Sequence, residues 1–127
     1  MKILIVDDSS KIREDFKKLL EDFAELTIIE AEDGKIALEV LKKNKDTNLI
    51  ISDIEMPVMD GFEFIEKVKS SEETNKIPVI FYTTQMSASY TKKARQLGVK
   101  MHLPKPFPDG SRMIQAIEKV LKTKLEK

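Results

Sequence analysis

Five polar side chains of this sequence directly follow apolar runs of strand length, and their chemistry is that of a phosphoryl-transfer site. They are Asp7, Asp8, Asp53, Thr83 and Lys105. Three carboxylates brought close together repel one another and favour a bound cation, and an all-oxygen set that is open to water suits Mg²⁺. An aspartate beside Mg²⁺ can attack phosphorus, while a lysine and a hydroxyl bind phosphoryl oxygens. The chemistry requires a fold that brings all five together.

Short apolar runs alternate with stretches of helical period along the whole chain, which is typical of an α/β fold with a parallel sheet. The pattern predicts strands at residues 3–6, 26–31, 49–52, 79–82 and 99–103, with a helix after each. No repeat or low-complexity tract interrupts it. We expect one domain over residues 1–127, with five strands, five helices and no effector domain.

The helices differ in how much apolar surface they offer the sheet. Ser9 or Ser10 is expected to cap the first helix, whose apolar stripe recurs at helical spacing, and Ser111 is expected to start the last. The helix predicted at 87–97 has only a thin apolar side, mainly Ala88, Ala94 and Leu97. We therefore expect it to be the least firmly docked of the five.

The polar content of the strands predicts their order. The second and fifth strands carry polar residues, which suits the edges of a sheet, whereas the other three are almost wholly apolar; the polar residues are Thr27, Glu30, Lys100 and His102. Right-handed crossovers then give the order 2-1-3-4-5, that of the flavodoxin-like three-layer αβα sandwich. In this order the five candidate residues meet in one crevice beyond the carboxyl ends of the strands.

A plainer interpretation of the same residues is an acidic cluster that one lysine neutralises as a buried ion pair. Each residue alone fits that interpretation better than a functional one. The presence of all five at successive strand ends favours a site.

Bulk composition excludes several classes of protein. The chain has 127 residues, no cysteine and a balance of 22 basic and 22 acidic side chains, so disulfides, thiolate metal sites and an overall charge suited to nucleic acid are absent. No apolar run is long enough for a signal peptide or a membrane span. We expect a cytoplasmic protein without membrane insertion or direct nucleic-acid binding. The C-terminal third is basic, which suits either an acidic partner or solvated helix faces.

The motifs place the sequence near a known family. It resembles a response-regulator receiver domain of two-component signalling, like the single-domain chemotaxis regulators, from Lys2 to about Leu121. The matching residues are the Asp7-Asp8 pair, Asp53 in Asp-x-x-Met-Pro-x-Met-Asp-Gly, Thr83, and Lys105-Pro106-Phe107. The resemblance implies that Asp53 accepts a phosphoryl group from a histidine kinase or a histidine phosphotransfer protein.

The resemblance also implies roles for the residues around Asp53. Asp8, Asp53 and the backbone carbonyl of Glu55 would bind Mg²⁺ directly, and Asp7 would do so through water. Thr83 and Lys105 would bind phosphoryl oxygens, and the peptide bond before Pro106 would be cis.

By the same resemblance, phosphorylation moves Thr83 and changes the surface of helix 4, strand 5 and helix 5, which binds a downstream target protein. The chain would then be a monomer or weak dimer. It would be no enzyme beyond its own phosphorylation and dephosphorylation.

Three residues near this site leave questions open. His102 occupies the switch position, where the family mostly has tyrosine or phenylalanine, and it could instead be an edge-strand histidine that points to solvent. Because imidazole titrates near neutral pH, we hypothesise pH-sensitive output; a partner affinity that stays flat across the titration range would refute this.

Glu55 and Gln85 are expected to tune phosphoryl lifetime, so Glu55→Ala should change the dephosphorylation rate. Phe81, Tyr82 and Tyr90 are expected only to pack.

Two other classes of protein share part of this pattern. A phosphatase of the haloacid-dehalogenase type also uses a strand-end aspartate and Mg²⁺, but it expects a second aspartate where Glu55 stands, and a cap region. A flavodoxin would need phosphate-binding hydroxyls after the first strand, where the Asp7-Asp8 pair would repel a phosphate. Turnover of a phosphomonoester would indicate the phosphatase, and bound flavin colour the flavodoxin.

Overall fold

The chain folds into alternating strands and helices around one parallel sheet. The computed structural model describes residues 1–84, 86–106 and 109–127. Its elements are β1 Lys2–Val6, α1 Ser10–Leu20, β2 Thr27–Ala31, α2 Gly34–Lys43, β3 Leu49–Ser52, α3 Gly61–Lys69, β4 Val79–Thr83, α4 Ala88–Gln96, β5 Met101–Pro104 and α5 Gly110–Leu121. Among these described residues no helix is long and apolar enough to cross a membrane.

The sheet has the predicted strand order. All neighbouring strands are parallel in the order β2-β1-β3-β4-β5, so the polar strands β2 and β5 lie at the edges. The register pairs Val6 with both Ala31 and Ser52, and Thr83 with Pro104. The carboxyl ends of the strands therefore lie at one edge of the sheet, and the predicted three-layer αβα fold is confirmed.

Two apolar clusters, one on each face of the sheet, hold the layers together. One joins the sheet to α2, α3 and α4 around Phe64 and Phe81, and the other joins it to α1 and α5 around Phe16 and Ile117. β1 and β3 contribute alternate side chains to both clusters, which explains why their sequences are continuously apolar. These strands form a rigid base for the loops that follow them.

Helix α4 is the weakly packed helix that its sequence predicts. It buries one side chain completely, Ala94, whereas Ala88 is exposed. It ends at the predicted position, with Leu97 as the C-cap, but the start of β5 differs from the prediction. The Val99 amide donates to the Ala94 carbonyl (2.9 Å) beyond Gly98, whose φ of 79° closes the helix. Val99 thus completes the helical turn instead of starting β5, and pairing with β4 begins only at Met101.

Side chains cap all five described helices at their N-termini. Ser9 accepts a hydrogen bond from the Ile12 amide, as predicted. In α5 the cap is Asp109, which accepts from the Ser111 amide (2.8 Å), so this helix begins one residue before the predicted Ser111. Such caps satisfy amides that have no partner within the helix.

Val58 occupies a strained turn in the loop between β3 and α3. Its φ is 69°, the Met59 amide donates to the Pro57 carbonyl (2.7 Å), and the Val58 side chain is 75% exposed. A β-branched residue rarely adopts positive φ, and such strain costs about 1–3 kcal/mol. The exposed methyl groups bury little that would offset it.

Replacing Val58 with glycine is expected to raise the free energy of unfolding by about 1 kcal/mol, because the relieved strain exceeds the added entropy of the unfolded chain. Urea denaturation of wild type and Val58→Gly measures this difference. Val58→Ala is the matched control, since it keeps a Cβ at the same φ and should gain less. Equal gains for both variants would place the cause in the branched side chain and not in the backbone.

Candidate functional site

Three carboxylates meet at the carboxyl edge of the sheet. Asp7, Asp8 and Asp53 each place an oxygen within 4.8 Å of the others. The sheet itself positions two of them, because the Asp7 amide donates to the Ala31 carbonyl (3.1 Å) and the Asp53 amide to the Val6 carbonyl (2.9 Å). Asp7 and Asp53 are buried, whereas Asp8 is exposed. The cluster thus combines a fixed inner pair with one acid open to solvent.

Lys105 lies between the two buried acids. Its Nζ is 2.7 Å from Asp7 Oδ2 and 2.8 Å from Asp53 Oδ2. The Lys105 amide donates to the Thr83 carbonyl (3.1 Å), which continues the pairing of β4 with β5, and the peptide bond to Pro106 is cis, as predicted. Lys105 therefore forms ion pairs with both Asp7 and Asp53, and its backbone is tied to Thr83.

Burial and charge act against each other in this group. Burial raises the pKa of the Asp7 carboxyl above its ordinary value, and the nearby Asp53 charge adds to this, although Lys105 and the Ser9 amide oppose it. For Lys105 burial disfavours the charged form, yet the hydrogen bonds to Asp53 and Asp7 outweigh it and raise the lysine pKa. Lys105 is thus held as a cation beside Asp53.

A backbone hydrogen bond orients the Asp53 carboxylate at the carboxyl edge of the sheet. The Ile54 amide donates to Asp53 Oδ1 (2.7 Å), which leaves Oδ2 to face Lys105. Thr83 is buried at the last position of β4, as expected for a strand-end hydroxyl. The structure brings all five predicted strand-end residues to one edge.

Two contacts that sequence reasoning missed support the acidic cluster. Arg13 on α1 donates to the Asp7 carbonyl (2.6 Å) and to Glu30 Oε1 on β2 (2.7 Å), so it fixes the loop that carries Asp7 and Asp8. The Lys105 ammonium lies 5.7 Å from the centre of the Tyr82 ring, a cation–π contact. Tyr82 was expected only to pack in the core, which it also does.

The side chain of Glu55 is held by α4. Tyr90 Oη donates to Glu55 Oε1 at 3.2 Å, although the two residues are 35 positions apart in sequence. Burial raises the pKa of the Tyr90 phenol first, and the negative charge of Glu55 raises it further. The expectation that Tyr90 only packs is therefore incomplete, because its hydroxyl reaches the loop that follows Asp53.

His102, Gln85 and Phe107 are the remaining residues that the sequence singles out. His102 pairs with Phe81 in the register of β5, so its side chain lies on the α4 face of the sheet, where it is exposed. This exposure matches the alternative of a solvent-facing edge histidine, and its switch role stays a prediction. Gln85, expected to tune phosphoryl lifetime, and Phe107 of the Lys-Pro-Phe motif lie outside the described residues.

Comparison with known proteins assigns the family. The response regulator receiver domain model matches residues 3–118, and the chain belongs to this family. Its curated relatives include the chemotaxis protein CheY1 of Helicobacter pylori, 37% identical over 126 residues that cover 99% of this chain and 94% of that protein. Chemotaxis protein CheY-3 of Vibrio cholerae is 38% identical over 84% of this chain and 82% of its own length.

Solved structures agree with this assignment. Chemotaxis protein CheY4 of Vibrio cholerae superimposes with a TM-score of 0.86 at 34% identity, covering 94% of this chain and 97% of that one. The chain is therefore a two-component response regulator receiver domain. The comparisons support this identification and not the phosphatase alternative.

The donor set fits the magnesium ion that the family uses. Three carboxylates supply only oxygen ligands, one of them exposed, which suits an ion that keeps several of its waters. The three carboxylates carry three negative charges and Lys105 neutralises one of them, so two remain. A divalent ion neutralises both and is therefore favoured over a monovalent one. The role of the Glu55 carbonyl as a further ligand stays a prediction.

Magnesium is expected to stabilise the protein, because it would bind the assembled acids of the folded state and not the unfolded chain. At about one hundred times its dissociation constant it should raise the free energy of unfolding by about 2.7 kcal/mol. Thermal unfolding with and without MgCl₂ measures this shift, and Asp8→Asn should reduce it. The same shift with NaCl at matched ionic strength would indicate screening of surface charge in place of binding.

Proposed function

We propose that Asp53 accepts a phosphoryl group from a phosphohistidine in a magnesium-dependent reaction, and that this modification controls binding of a downstream protein. Among the proposed site residues, Asp53 forms an ion pair with Lys105, which also pairs with Asp7, and one Asp53 carboxylate oxygen lies in the cluster of three acids. That arrangement is the observation on which the proposal depends. Family membership supports the same role.

The chemistry follows from the groups at hand. An oxygen of Asp53 attacks phosphorus as the P–N bond to the imidazole breaks, and the neutral imidazole leaves with a proton from solvent. Asp8, Asp53 and the Glu55 carbonyl would hold Mg²⁺ directly and Asp7 would do so through water, and the ion would supply charge that offsets the phosphoryl oxygens. Lys105 supplies a second cation, and the Thr83 hydroxyl donates to another oxygen.

Release of the phosphoryl group needs only water, which attacks the acyl phosphate and restores the Asp53 carboxylate. The chain then acts on no separate substrate, so we infer a phosphorylation-controlled binding module and not an enzyme with turnover. Its partners would be a histidine kinase or phosphotransfer protein and a target that reads the surface of α4, β5 and α5. Such a module works in the cytoplasm, as a monomer or weak dimer.

Phosphorylation by a small-molecule donor tests the proposal directly. Wild type incubated with Mg²⁺ and acetyl phosphate should gain the mass of one phosphoryl group, and Asp53→Asn should not. Omission of Mg²⁺ or addition of a chelator should prevent the gain. No gain by a wild-type protein that binds Mg²⁺ would refute the proposal, and so would an equal gain by Asp53→Asn.

A further inference from the structure

The contact between Glu55 and Tyr90 joins two parts of the molecule that the proposed function keeps separate. Glu55 follows the phosphoacceptor by two residues, and Tyr90 lies in the first turn of α4, where its amide donates to the capping Ser87 hydroxyl (3.1 Å). The bond therefore links the loop after Asp53 to the N-terminal end of a helix that is otherwise weakly docked.

A row of aromatic rings fixes the position of the Tyr90 hydroxyl. The Tyr90 ring meets Phe62 of α3 edge-on, with centroids 5.1 Å apart, and Phe62 meets the fully buried Phe81 of β4 in the same way at 5.6 Å. The Lys93 ammonium lies over the Phe62 ring, 5.4 Å from its centre. Edge-to-face pairs of this kind favour one ring orientation. Packing of the Tyr90 ring against Phe62, and of Phe62 against Phe81, therefore directs the Tyr90 hydroxyl towards Glu55.

We propose that Tyr90 is a positioning residue for the phosphoacceptor site: its hydroxyl holds the Glu55 carboxylate against α4 and so lengthens the lifetime of the phosphoryl group on Asp53. This inference rests on the proposed function. A carboxylate released from Tyr90 can swing towards the acyl phosphate and accept a proton from the attacking water, which is general base catalysis of phosphoryl loss. Glu55 is exposed, and among the described residues its side chain forms a hydrogen bond with Tyr90.

The coupling works in both directions. If phosphorylation changes how Glu55 is held, it changes how α4 is held, and a protein that binds α4 and displaces Tyr90 shortens the phosphoryl lifetime by the same link. Target binding would then limit the duration of the signal. Tyr90 does this through the Glu55 side chain and not by contact with the phosphoryl group.

The test compares decay of the phosphorylated protein after the donor is removed, followed by mass spectrometry. Tyr90→Phe keeps the ring stacking and removes only the hydroxyl, so it should still take up one phosphoryl group but lose it about threefold to tenfold faster. Glu55→Gln can still accept from Tyr90 but cannot act as a base. In the Glu55→Gln background, adding Tyr90→Phe should leave the decay rate unchanged. Ser89→Ala is the matched control, since it removes an α4 hydroxyl that contacts Ser87 and not Glu55.

Hydrogen exchange of the α4 amides in the unphosphorylated proteins provides a second readout. Exchange should be about threefold to tenfold faster in Tyr90→Phe than in wild type or Ser89→Ala, because one docking contact of α4 is lost. The inference alone is overturned if wild type and Tyr90→Phe lose the phosphoryl group at equal rates, or if hydrogen exchange of the α4 amides is unchanged in Tyr90→Phe. It is also overturned if Tyr90→Phe still speeds decay in the Glu55→Gln background, or if Ser89→Ala speeds decay as much as Tyr90→Phe does. No mass gain by wild type overturns the proposed function and this inference together.

Discussion

Replacing Gly61 with alanine is expected to lower the free energy of unfolding by about 3 kcal/mol or more, at the upper end for a one-methyl substitution. A Cβ at this position would lie 2.3 Å from the Asp53 carbonyl oxygen and 2.8 Å from the Ile54 Cα. Both atoms belong to backbone that the sheet and the hydrogen bond from the Gly61 amide to the Ile54 carbonyl (2.7 Å) hold in place. The first turn of α3 must move away from β3 to admit the methyl group.

Because the obstructing atom belongs to Asp53, the same substitution should also impair phosphorylation in the molecules that stay folded. Chemical denaturation measures the stability, and mass spectrometry after acetyl phosphate measures the site. Gly98→Ala is the comparison: its φ of 79° is unfavourable for alanine, but a Cβ there meets nothing within 4 Å, so the cost should be about 1–2 kcal/mol with phosphorylation unaffected. Similar losses in both variants would mean that the backbone next to Gly61 moves aside at little cost, so that the close approach does not set the stability.

The fold could be predicted because its sequence signals are local and agree with one another. Continuous apolar runs mark β1, β3 and β4 as central, and polar residues such as Thr27 and His102 mark the edge strands. The start of β5, which lies two residues after the predicted one, depends on a hydrogen bond between Val99 and Ala94 that closes α4. Apolar character alone cannot tell a residue that finishes a helix from one that begins a strand.

The acidic cluster could be predicted for a topological reason: parallel strands bring the residues after their carboxyl ends to one edge, whatever the loops do. The contacts that support this cluster could not be predicted from the sequence. Arg13 reaches Asp7 and Glu30 only through the way α1 packs, and Tyr90 reaches Glu55 across 35 residues through the placement of α4. No spacing rule relates such pairs, so their sequence signal is at most an arginine or a tyrosine on a helix.

The ion pair and the phosphoryl site are two descriptions of the same residues. Lys105 neutralises Asp7 and Asp53 in the structure, as the plainer interpretation of the sequence requires. A phosphoryl group on Asp53 would replace the Asp53 carboxylate charge with phosphoryl oxygens, to which the same ammonium can turn. Lys105 is thus already charged and oriented before the reaction, which is electrostatic preorganisation.

Replacing Lys105 with methionine is therefore expected to slow phosphorylation of Asp53 by about 100-fold or more, the usual effect of removing one donor to a developing oxyanion. Methionine keeps much of the apolar stem, which limits changes in packing against Tyr82. Rates of mass gain with acetyl phosphate measure the effect. Lys100→Met, which removes an exposed charge near the start of β5, should react at the wild-type rate.

Magnesium affinity separates the charge effect from simple damage to the site. Without the ammonium, the cluster of Asp7, Asp8 and Asp53 carries one more uncompensated negative charge, so Mg²⁺ should bind Lys105→Met about fivefold more tightly, from roughly 1 kcal/mol of added attraction. Calorimetric titration measures this affinity. Tighter metal binding together with slower phosphorylation is the combination that a transition-state role for Lys105 requires. Weaker binding in Lys105→Met would instead mean that Lys105 holds the acids in place, and its charge would then act on the structure of the site and not on the phosphoryl group.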